Sequence, residues 1–198
     1  YCTDRGFEAC VLGQQVLGGH GYVTEWGLEQ NVRDARIAQI YEGANGVQAL
    51  DLMGRKTVRS NGELLDILSG EMDEFVASQK DVEAMHPYLA AFEKCRGRLE
   101  EATSSVLASS SDDANAVGAA SYSYMELMGL VLYCFMWQRI LSAALADQKS
   151  GSNDTDYTDA LVKTGEFFLQ RLLPRTESLL VEITSGAESL MAMRAEQF

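Results

Sequence analysis

The chain has 198 residues with only two prolines, and its formal net charge is −13 at pH 7. A chain of this length buries roughly two-thirds of its unfolded surface on folding, so it needs neither disulfides nor a metal to hold a core. The negative charge excludes nucleic-acid binding and a polybasic membrane anchor, because both require clustered Lys and Arg. Abundant helix-forming residues and the scarcity of proline predict an all-α fold.

The first region of the chain predicts short helices around a glycine-rich loop. Phe7 and Val11 already keep helical spacing and no initiator Met precedes them, so we expect a chain that starts inside a helix of a longer protein. That helix is expected to stop at Gly18-Gly19. A second helix is predicted over residues 28–36, and a third from Ala44 to about residue 56.

The rest of the chain has the pattern of a plain helical bundle. Apolar spacing predicts a helix with Leu64, Leu68, Met72 and Phe75 on one face, with Ser60 or Asn61 as its cap, and further helices over residues 88–108, 114–147 and 157–194, the last broken at Pro174. A polar, linker-like stretch covers residues 149–156. Short turns between long helices predict an antiparallel helical bundle. We therefore expect two all-α units, residues 1–56 and 57–198.

Cysteine and apolar patterns exclude two further classes of site. The four cysteines and two histidines lack metal-ligand spacing, so we expect free thiols and no metal. The apolar stretch 127–137 is too short to span a membrane and lies between Glu126 and Arg139. It predicts a buried core helix and no membrane span.

One carboxylate, Glu42, stands between Tyr41 and Gly43 where a helix is about to begin, in the stretch RDARIAQIYEGANGVQALDL. Free backbone N–H groups at a helix start can stabilise an oxyanion, and a carboxylate that is buried there becomes a stronger general base. The alternative is an acid that only complements the helix dipole, which is the commoner case. The residues alone leave both open.

The loop GGHGYVTEWG, residues 18–27, contains four glycines. Glycines allow the backbone to approach a phosphate closely, and successive N–H groups can bind it. The loop is not a GxGxxG turn after a strand, so it predicts no Rossmann fold. A purely structural loop is the alternative, and His20 is expected to be neither ligand nor base.

Two motifs together resemble the C-terminal helical domain of the acyl-CoA dehydrogenase family. QxLGGxGY is followed about twenty residues later by RDARIxQIYEG and then by a helix, over residues 1–56. The variant YEGANGVQALDLMGRK is similar to the larger members, which carry an added C-terminal helical domain and include dehydrogenases of long-chain and methylthio-propionyl thioesters. Residues 57–198 match that added domain in length, helicity and position.

The resemblance implies a role for the residues around Glu42. Glu42 occupies the position of the base that removes the pro-R α-proton of an acyl-CoA thioester, while the β-hydrogen leaves as hydride to FAD and a trans-2-enoyl-CoA forms. In the family, the amide of this Glu also helps to bind the thioester carbonyl. Tyr41 and Gly43 would line the acyl pocket.

The resemblance also implies cofactor contacts. Gln15, Gly18 and Gly19 match residues that reach the ADP part of an FAD held mainly by a neighbouring subunit. Many smaller members have Thr-Ser-Gln after Glu-Gly, where this chain has Ala44 and then Asn45 and Gly46. The flavin contacts of those side chains are therefore expected either to be lost or to be replaced by backbone contacts at Asn45 and Gly46.

For the full-length protein, the resemblance implies an acyl-CoA substrate, an electron-transfer flavoprotein as partner, and a homo-oligomer, either dimer or tetramer. It implies a bacterial cytoplasmic or a mitochondrial matrix location. We expect this chain alone neither to retain FAD nor to turn over substrate. Two alternatives stay open: an acyl-CoA oxidase, which passes electrons to O2, and a non-catalytic helical interaction module.

Overall fold

A computed structural model describes residues 1–151 and 155–197, and every regular element among them is helical. The α-helices are α1 (Cys2–Val16), α2 (Gly19–Tyr22), α3 (Leu28–Ile37), α4 (Asn45–Leu50), α5 (Glu63–Gln79), α6 (His86–Ser109), α7 (Ala116–Ser150), α8 (Thr155–Phe167), α9 (Arg175–Thr184) and α10 (Glu188–Met191). Short 3-10 helices cover Thr24–Trp26, Glu83–Met85 and Ala195–Gln197, and π-helical segments cover Asp51–Val58 and Phe168–Leu172. The predicted all-α class is confirmed.

The chain divides into two compact units, Tyr1–Asp51 and Leu52–Phe198. The predicted boundary between residues 56 and 57 falls inside the π-helical segment Asp51–Val58. Part of the predicted polar linker, residues 152–154, lies outside the described residues.

The first unit packs α1 against α3, with α2 against the end of α1. Its buried residues are Asp4, Gly21 and Ala49. A Cβ on Gly21 would lie 2.2 Å from the carbonyl oxygen of Gln14, so only glycine allows the loop after α1 to approach this closely. This unit is held by close backbone approach and polar contacts more than by an apolar core.

The second unit is built around α7, which runs antiparallel to α6. Phe92 stacks on Phe135 with ring centroids 5.7 Å apart, and the hydroxyls of Thr103 and Tyr124 are hydrogen-bonded at 2.8 Å. Residues later in α6 therefore contact residues earlier in α7, which is the pattern of an antiparallel pair. The antiparallel arrangement follows from the short connection between the two helices.

The same reasoning orients α8 and α9 along another side of α7. Trp137 stacks on Phe168 at 6.3 Å, and the Arg175 guanidinium pairs with the buried Glu126 carboxylate at 2.9 Å. The later residue on α7, Trp137, thus pairs with the earlier residue of the other segment, so α8 and α9 run antiparallel to α7. Pro174 interrupts the segment between α8 and α9, as predicted.

The core of the second unit follows the predicted face of α6. Apolar spacing over residues 88–108 predicts a face formed by five residues, and each of them is buried: Phe92, Cys95, Leu99, Ala102 and Val106. On α5, however, Leu65 and Met72 are buried while Leu64 is exposed, so the predicted face was wrong by one residue at its start. Apolar spacing in the third predicted helix also places Ala44, Val47, Leu50 and Met53 on one face, of which Met53 is buried whereas Val47 and Leu50 are exposed.

Several predicted helix ends differ from the structure. Gly62, at φ 85°, precedes α5, and the Ser60 hydroxyl instead donates to the Lys56 carbonyl at 2.6 Å. The helix predicted over residues 88–108 begins earlier, at His86, because Pro87 lies in the first turn of α6, where proline is tolerated. The last long helix ends at Thr184 and not near residue 194, because Gly186 takes φ 73°.

Within the described residues, α7 is the one helix long and apolar enough to cross a membrane by length and composition alone. Half of its most apolar 18-residue window is buried within the fold. Tyr124, Leu127 and Cys134 on this helix are completely buried. A core helix has this burial, as the sequence predicted for residues 127–137.

Candidate active site

Glu42 lies at the tip of the turn between α3 and α4. Its φ is 51°, a left-handed conformation that is uncommon for a residue with a side chain, and Gly43 follows at φ 92°. Ala44 then takes extended backbone and α4 begins at Asn45. A non-glycine residue held in this conformation is typical of functional sites, where the surrounding contacts maintain it.

Hydrogen bonds close the turn beneath Glu42. The Asn45 amide donates to the Gln39 carbonyl at 3.1 Å, which joins the two ends of the turn. The Gln48 side-chain amide reaches the Glu42 carbonyl at 3.4 Å. A Cβ on Gly43 would lie 2.5 Å from that same Gln48 nitrogen, so glycine leaves the space that the Gln48 side chain fills.

The first turn of α1 holds both ends of this turn. The Gln39 side-chain nitrogen Nε2 donates to the Asp4 carboxylate at 2.6 Å, and the Gln39 side-chain oxygen Oε1 accepts from the Arg36 guanidinium at 2.8 Å. The Thr3 hydroxyl donates to the Asn45 side-chain oxygen at 2.9 Å. The turn that carries Glu42 is therefore tied to residues about 40 positions away in sequence, as the separations of 35 and 42 residues show.

The Glu42 side chain is exposed, and so is Tyr41. Within residues 1–151 and 155–197 the Glu42 carboxylate has no hydrogen-bond or ion-pair partner, and its amide donates no hydrogen bond. The sequence left open whether Glu42 is buried, and in this chain the residue is exposed at a turn where its φ is 51°. Both groups are available to a molecule outside the chain.

The other predicted cofactor residues lie at the opposite end of α1. Gln15 is in its last turn, and Gly18 and Gly19 follow directly, all three exposed. Thr3, which contacts the Glu42 turn, is twelve residues earlier, so the two groups are separated by about 18 Å along the helix axis. The structure brings Tyr41, Glu42, Gly43, Asn45 and Gly46 together in one turn and leaves Gln15, Gly18 and Gly19 apart.

The glycines of the loop after α1 have different roles. Gly18 takes φ 57°, and a Cβ on Gly18 or Gly19 would meet nothing within 4 Å. Gly21, by contrast, is required by its contact with Gln14. His20 makes an edge contact with Trp26 at 5.4 Å between ring centroids. The open glycines can admit a ligand, whereas Gly21 serves the fold.

Sequence reasoning missed Asp4, Gln39 and Gln48. Asp4 offered one signal, because it lies three residues before Phe7 on the face of α1 that was expected to be apolar. A carboxylate on such a face needs a buried partner. Gln39 belongs to the motif RDARIxQIYEG, but the motif does not indicate its contact with Asp4, and Gln48 offered no signal of its own, since both contacts depend on how the turn folds.

Known proteins support a family assignment for both parts of the chain. The family model described as "Acyl-CoA dehydrogenase, C-terminal domain" matches residues 1–56, and the one described as "Acetyl-CoA dehydrogenase C-terminal like" matches residues 68–194. The chain belongs to the acyl-CoA dehydrogenase family. The resemblance in the sequence motifs is confirmed.

Named relatives extend over most of the chain. The 3-methylmercaptopropionyl-CoA dehydrogenase of Ruegeria pomeroyi is 32% identical over 96% of this chain and 32% of its own length. The broad-specificity linear acyl-CoA dehydrogenase FadE5 of Mycobacterium tuberculosis is 30% identical over 99% of this chain and 33% of its own. A butyryl-CoA dehydrogenase of Syntrophomonas wolfei is 32% identical over 41% of this chain and 13% of its own length. The chain thus spans about a third of the length of the first two relatives.

Proposed function

We propose that this chain is the C-terminal part of an FAD-dependent dehydrogenase of acyl-CoA thioesters and that Glu42 is its catalytic base. The observation that carries the proposal is the Glu42 turn: at φ 51°, this exposed residue has a carboxylate without a partner and an amide that donates no hydrogen bond among the described residues. The turn lies within residues 1–56, which match the acyl-CoA dehydrogenase C-terminal domain. The first two relatives are both acyl-CoA dehydrogenases by name.

In the proposed reaction, the Glu42 carboxylate accepts the α-proton of the thioester. The Glu42 amide donates a hydrogen bond to the thioester carbonyl, where negative charge develops as the proton leaves. Because one residue supplies both groups, the turn fixes their separation. Tyr41 and Gly43 flank the base and would line the acyl pocket. Closure of the site by the remainder of the protein would exclude water and strengthen both interactions.

The residues predicted to hold FAD fit such a group. Gly19 and Gly46 have open space where a Cβ would stand, and the side-chain nitrogen of Asn45 is buried without a hydrogen-bond partner among the described residues. Gln15 and Gly18 are exposed at the far end of α1. When bound, the flavin would accept the hydride from the β-carbon. Gln15, Gly18 and Gly19 would contact its ADP part, and the segment at Asn45 and Gly46 its remaining part.

Glu42→Gln in the full-length protein tests the proposal. We expect exchange of the α-proton of an acyl-CoA thioester to fall by at least about 100-fold, because glutamine retains the shape of the side chain but is not a base. Flavin content and the unfolding transition should stay unchanged. Isotope exchange from deuterated water into the thioester measures the proton step alone.

Glu25→Gln is the matched control, since Glu25 is an exposed glutamate of the same unit that lies outside the turn. Retention of exchange by Glu42→Gln would refute the assignment of the base.

Flavin reoxidation in the wild-type protein decides the electron acceptor. An electron-transfer flavoprotein should accept the electrons rapidly, whereas equally fast reoxidation by O2 would make the protein an oxidase.

A further inference from the structure

We propose that Asp4 is a positioning residue for the catalytic turn and acts through Gln39. The inference rests on the proposed function of Glu42 and adds to it a residue in another helix, which holds the base in its left-handed conformation. Asp4 lies outside the motif RDARIxQIYEG that contains Glu42, whereas Gln39 is part of that motif. The juxtaposition that carries it is the hydrogen bond of 2.6 Å between Gln39 Nε2 and Asp4 Oδ1.

The burial of Asp4 is unusual for a carboxylate in so open a unit. It is 8% exposed, while large apolar side chains further along the same helix, among them Leu12 and Val16, are exposed. Removing a carboxylate from water is costly unless hydrogen bonds compensate. One of the few buried residues of the first unit therefore makes a polar contact with the turn.

Gln39 is oriented from both sides of its amide group. Arg36 Nη1 donates to its Oε1 at 2.8 Å, which identifies the oxygen, and its Nε2 donates to Asp4. A hydrogen bond to an ionised acceptor is about twice as strong as one between neutral groups. The two hydrogen bonds that join Arg36 to Gln39 and Gln39 to Asp4 therefore fix the position of the Gln39 backbone.

The position of the Gln39 backbone determines the shape of the turn. Its carbonyl accepts the Asn45 amide at 3.1 Å, and this bond closes the segment from residue 39 to residue 45. Glu42, at φ 51°, lies in the middle of that segment. A strained residue keeps its conformation only while its surroundings maintain it. Loss of the Asp4 contact should thus let the turn open and the base leave its place.

We call the hydrogen bonds from Gln39 to Asp4 and from Asn45 to Gln39 the clamp. Amide hydrogen exchange in this chain tests the clamp without a measurement of activity. In Asp4→Ala we expect the Asn45 amide to exchange at least about tenfold faster, because the bond that orients Gln39 is gone. In Asp4→Asn the side-chain oxygen remains as an acceptor, so exchange should stay within about threefold of wild type. Asp34→Ala is the matched control, because it removes a similar bond, Gln30 Nε2 to Asp34 Oδ1 at 2.7 Å, on α3.

Asp4→Asn also separates two roles of Asp4. A negative charge in the first turn of α1 favours the helix dipole, and this effect is lost in both variants. If Asp4→Asn exchanges at Asn45 as fast as Asp4→Ala does, the charge and not the acceptor matters, and the proposal fails. Should Asp4→Ala unfold the first unit, Gln39→Met gives the same test, because it removes the bond and leaves Asp4 in place.

Proton exchange in the full-length protein then connects the clamp to the base. We expect Asp4→Ala to lower the kcat for α-proton exchange by about 10- to 100-fold with KM nearly unchanged, and Asp4→Asn to restore most of the loss. Unchanged kcat and unchanged Asn45 exchange in Asp4→Ala would overturn the inference while Glu42→Gln still tests the base. If Glu42→Gln keeps its activity, the proposed function fails, and the hydrogen-exchange result still decides whether Asp4 holds the turn.

Discussion

The two units of this chain are organised in opposite ways. The second unit buries large apolar side chains from α5, α6, α9 and the π-helical segment Phe168–Leu172 around the central helix α7. The first unit buries Asp4, Gly21 and Ala49, and it exposes apolar side chains such as Val16 and Trp26. The second unit thus has the core of a self-sufficient domain, whereas the first unit has a precisely held turn and little core.

The comparison explains why the candidate site lies in the first unit. Under the proposed function the Glu42 turn meets a substrate and a cofactor, which requires exposed, open positions, and Glu42 and Gly18 are both exposed. Polar contacts from α1 hold the turn where an apolar core would otherwise do so. The buried bundle can keep its shape independently of that chemistry.

The largest expected effect is at Phe92, which is completely buried and stacked on Phe135. Phe92→Ala should lower the free energy of unfolding of the second unit by about 3–5 kcal/mol, because it removes apolar contacts and leaves a cavity. Phe7→Ala, at a half-buried position of the first unit, should cost about 1 kcal/mol. Urea unfolding followed by Trp137 fluorescence in a Trp26→Phe background measures the first value, and hydrogen exchange in α1 measures the second. Equal losses would mean that the first unit has a core of its own.

A smaller effect is expected at Gly21, where the first unit depends on backbone approach. Gly21→Ala places a Cβ 2.2 Å from the Gln14 carbonyl oxygen, and a backbone atom cannot move aside as a flexible side chain can. We expect about 1–3 kcal/mol of destabilisation, seen as faster amide exchange at the end of α1. Gly13→Ala, with open space at the Cβ, should instead stabilise α1 by up to about 1 kcal/mol. Changes in stability of the same sign in Gly21→Ala and Gly13→Ala would contradict the role assigned to the Gly21 contact.

The predicted elements succeed where one helix repeats evenly and fail where the repeat is interrupted. On α6 the period of 3.6 residues is not interrupted, so all five predicted positions are buried, although Leu89 and Thr103 are buried as well and were not predicted. The π-helical segment Asp51–Val58 and the left-handed Gly62 shift the register, and the side chains of α4 and α5 therefore face elsewhere than the count predicted. Local spacing contains no information about such shifts.

The candidate site shows the same limit. The motif spacing was sufficient to predict Glu42, Tyr41 and Gly43 in one turn. It could not reveal Asp4, because the contact between Asp4 and Gln39 joins residues 35 positions apart. Nor could it reveal that Glu42 is exposed in this chain, since burial depends on what packs around the turn. Local pattern thus predicts the chemistry of the turn, and tertiary contacts determine how it is held.

The smallest expected effect concerns Tyr124, a polar group inside the core of the second unit. Its hydroxyl is hydrogen-bonded to Thr103 at 2.8 Å, and Tyr124→Phe should cost about 1 kcal/mol near neutral pH. Burial raises the pKa of Tyr124 above its usual 10.0, although hydrogen bonds with Thr103 and Thr57 lower the pKa in part. Because the unfolded chain loses this proton first, the contribution of Tyr124 to stability is fully present below about pH 10 and is lost as the pH rises towards the folded pKa. Urea midpoints measured between pH 8 and pH 11 should therefore fall less steeply for Tyr124→Phe than for wild type. Parallel slopes would mean that water reaches this hydroxyl, and the contrast between a dry second unit and an open first unit would be weaker than the structure indicates.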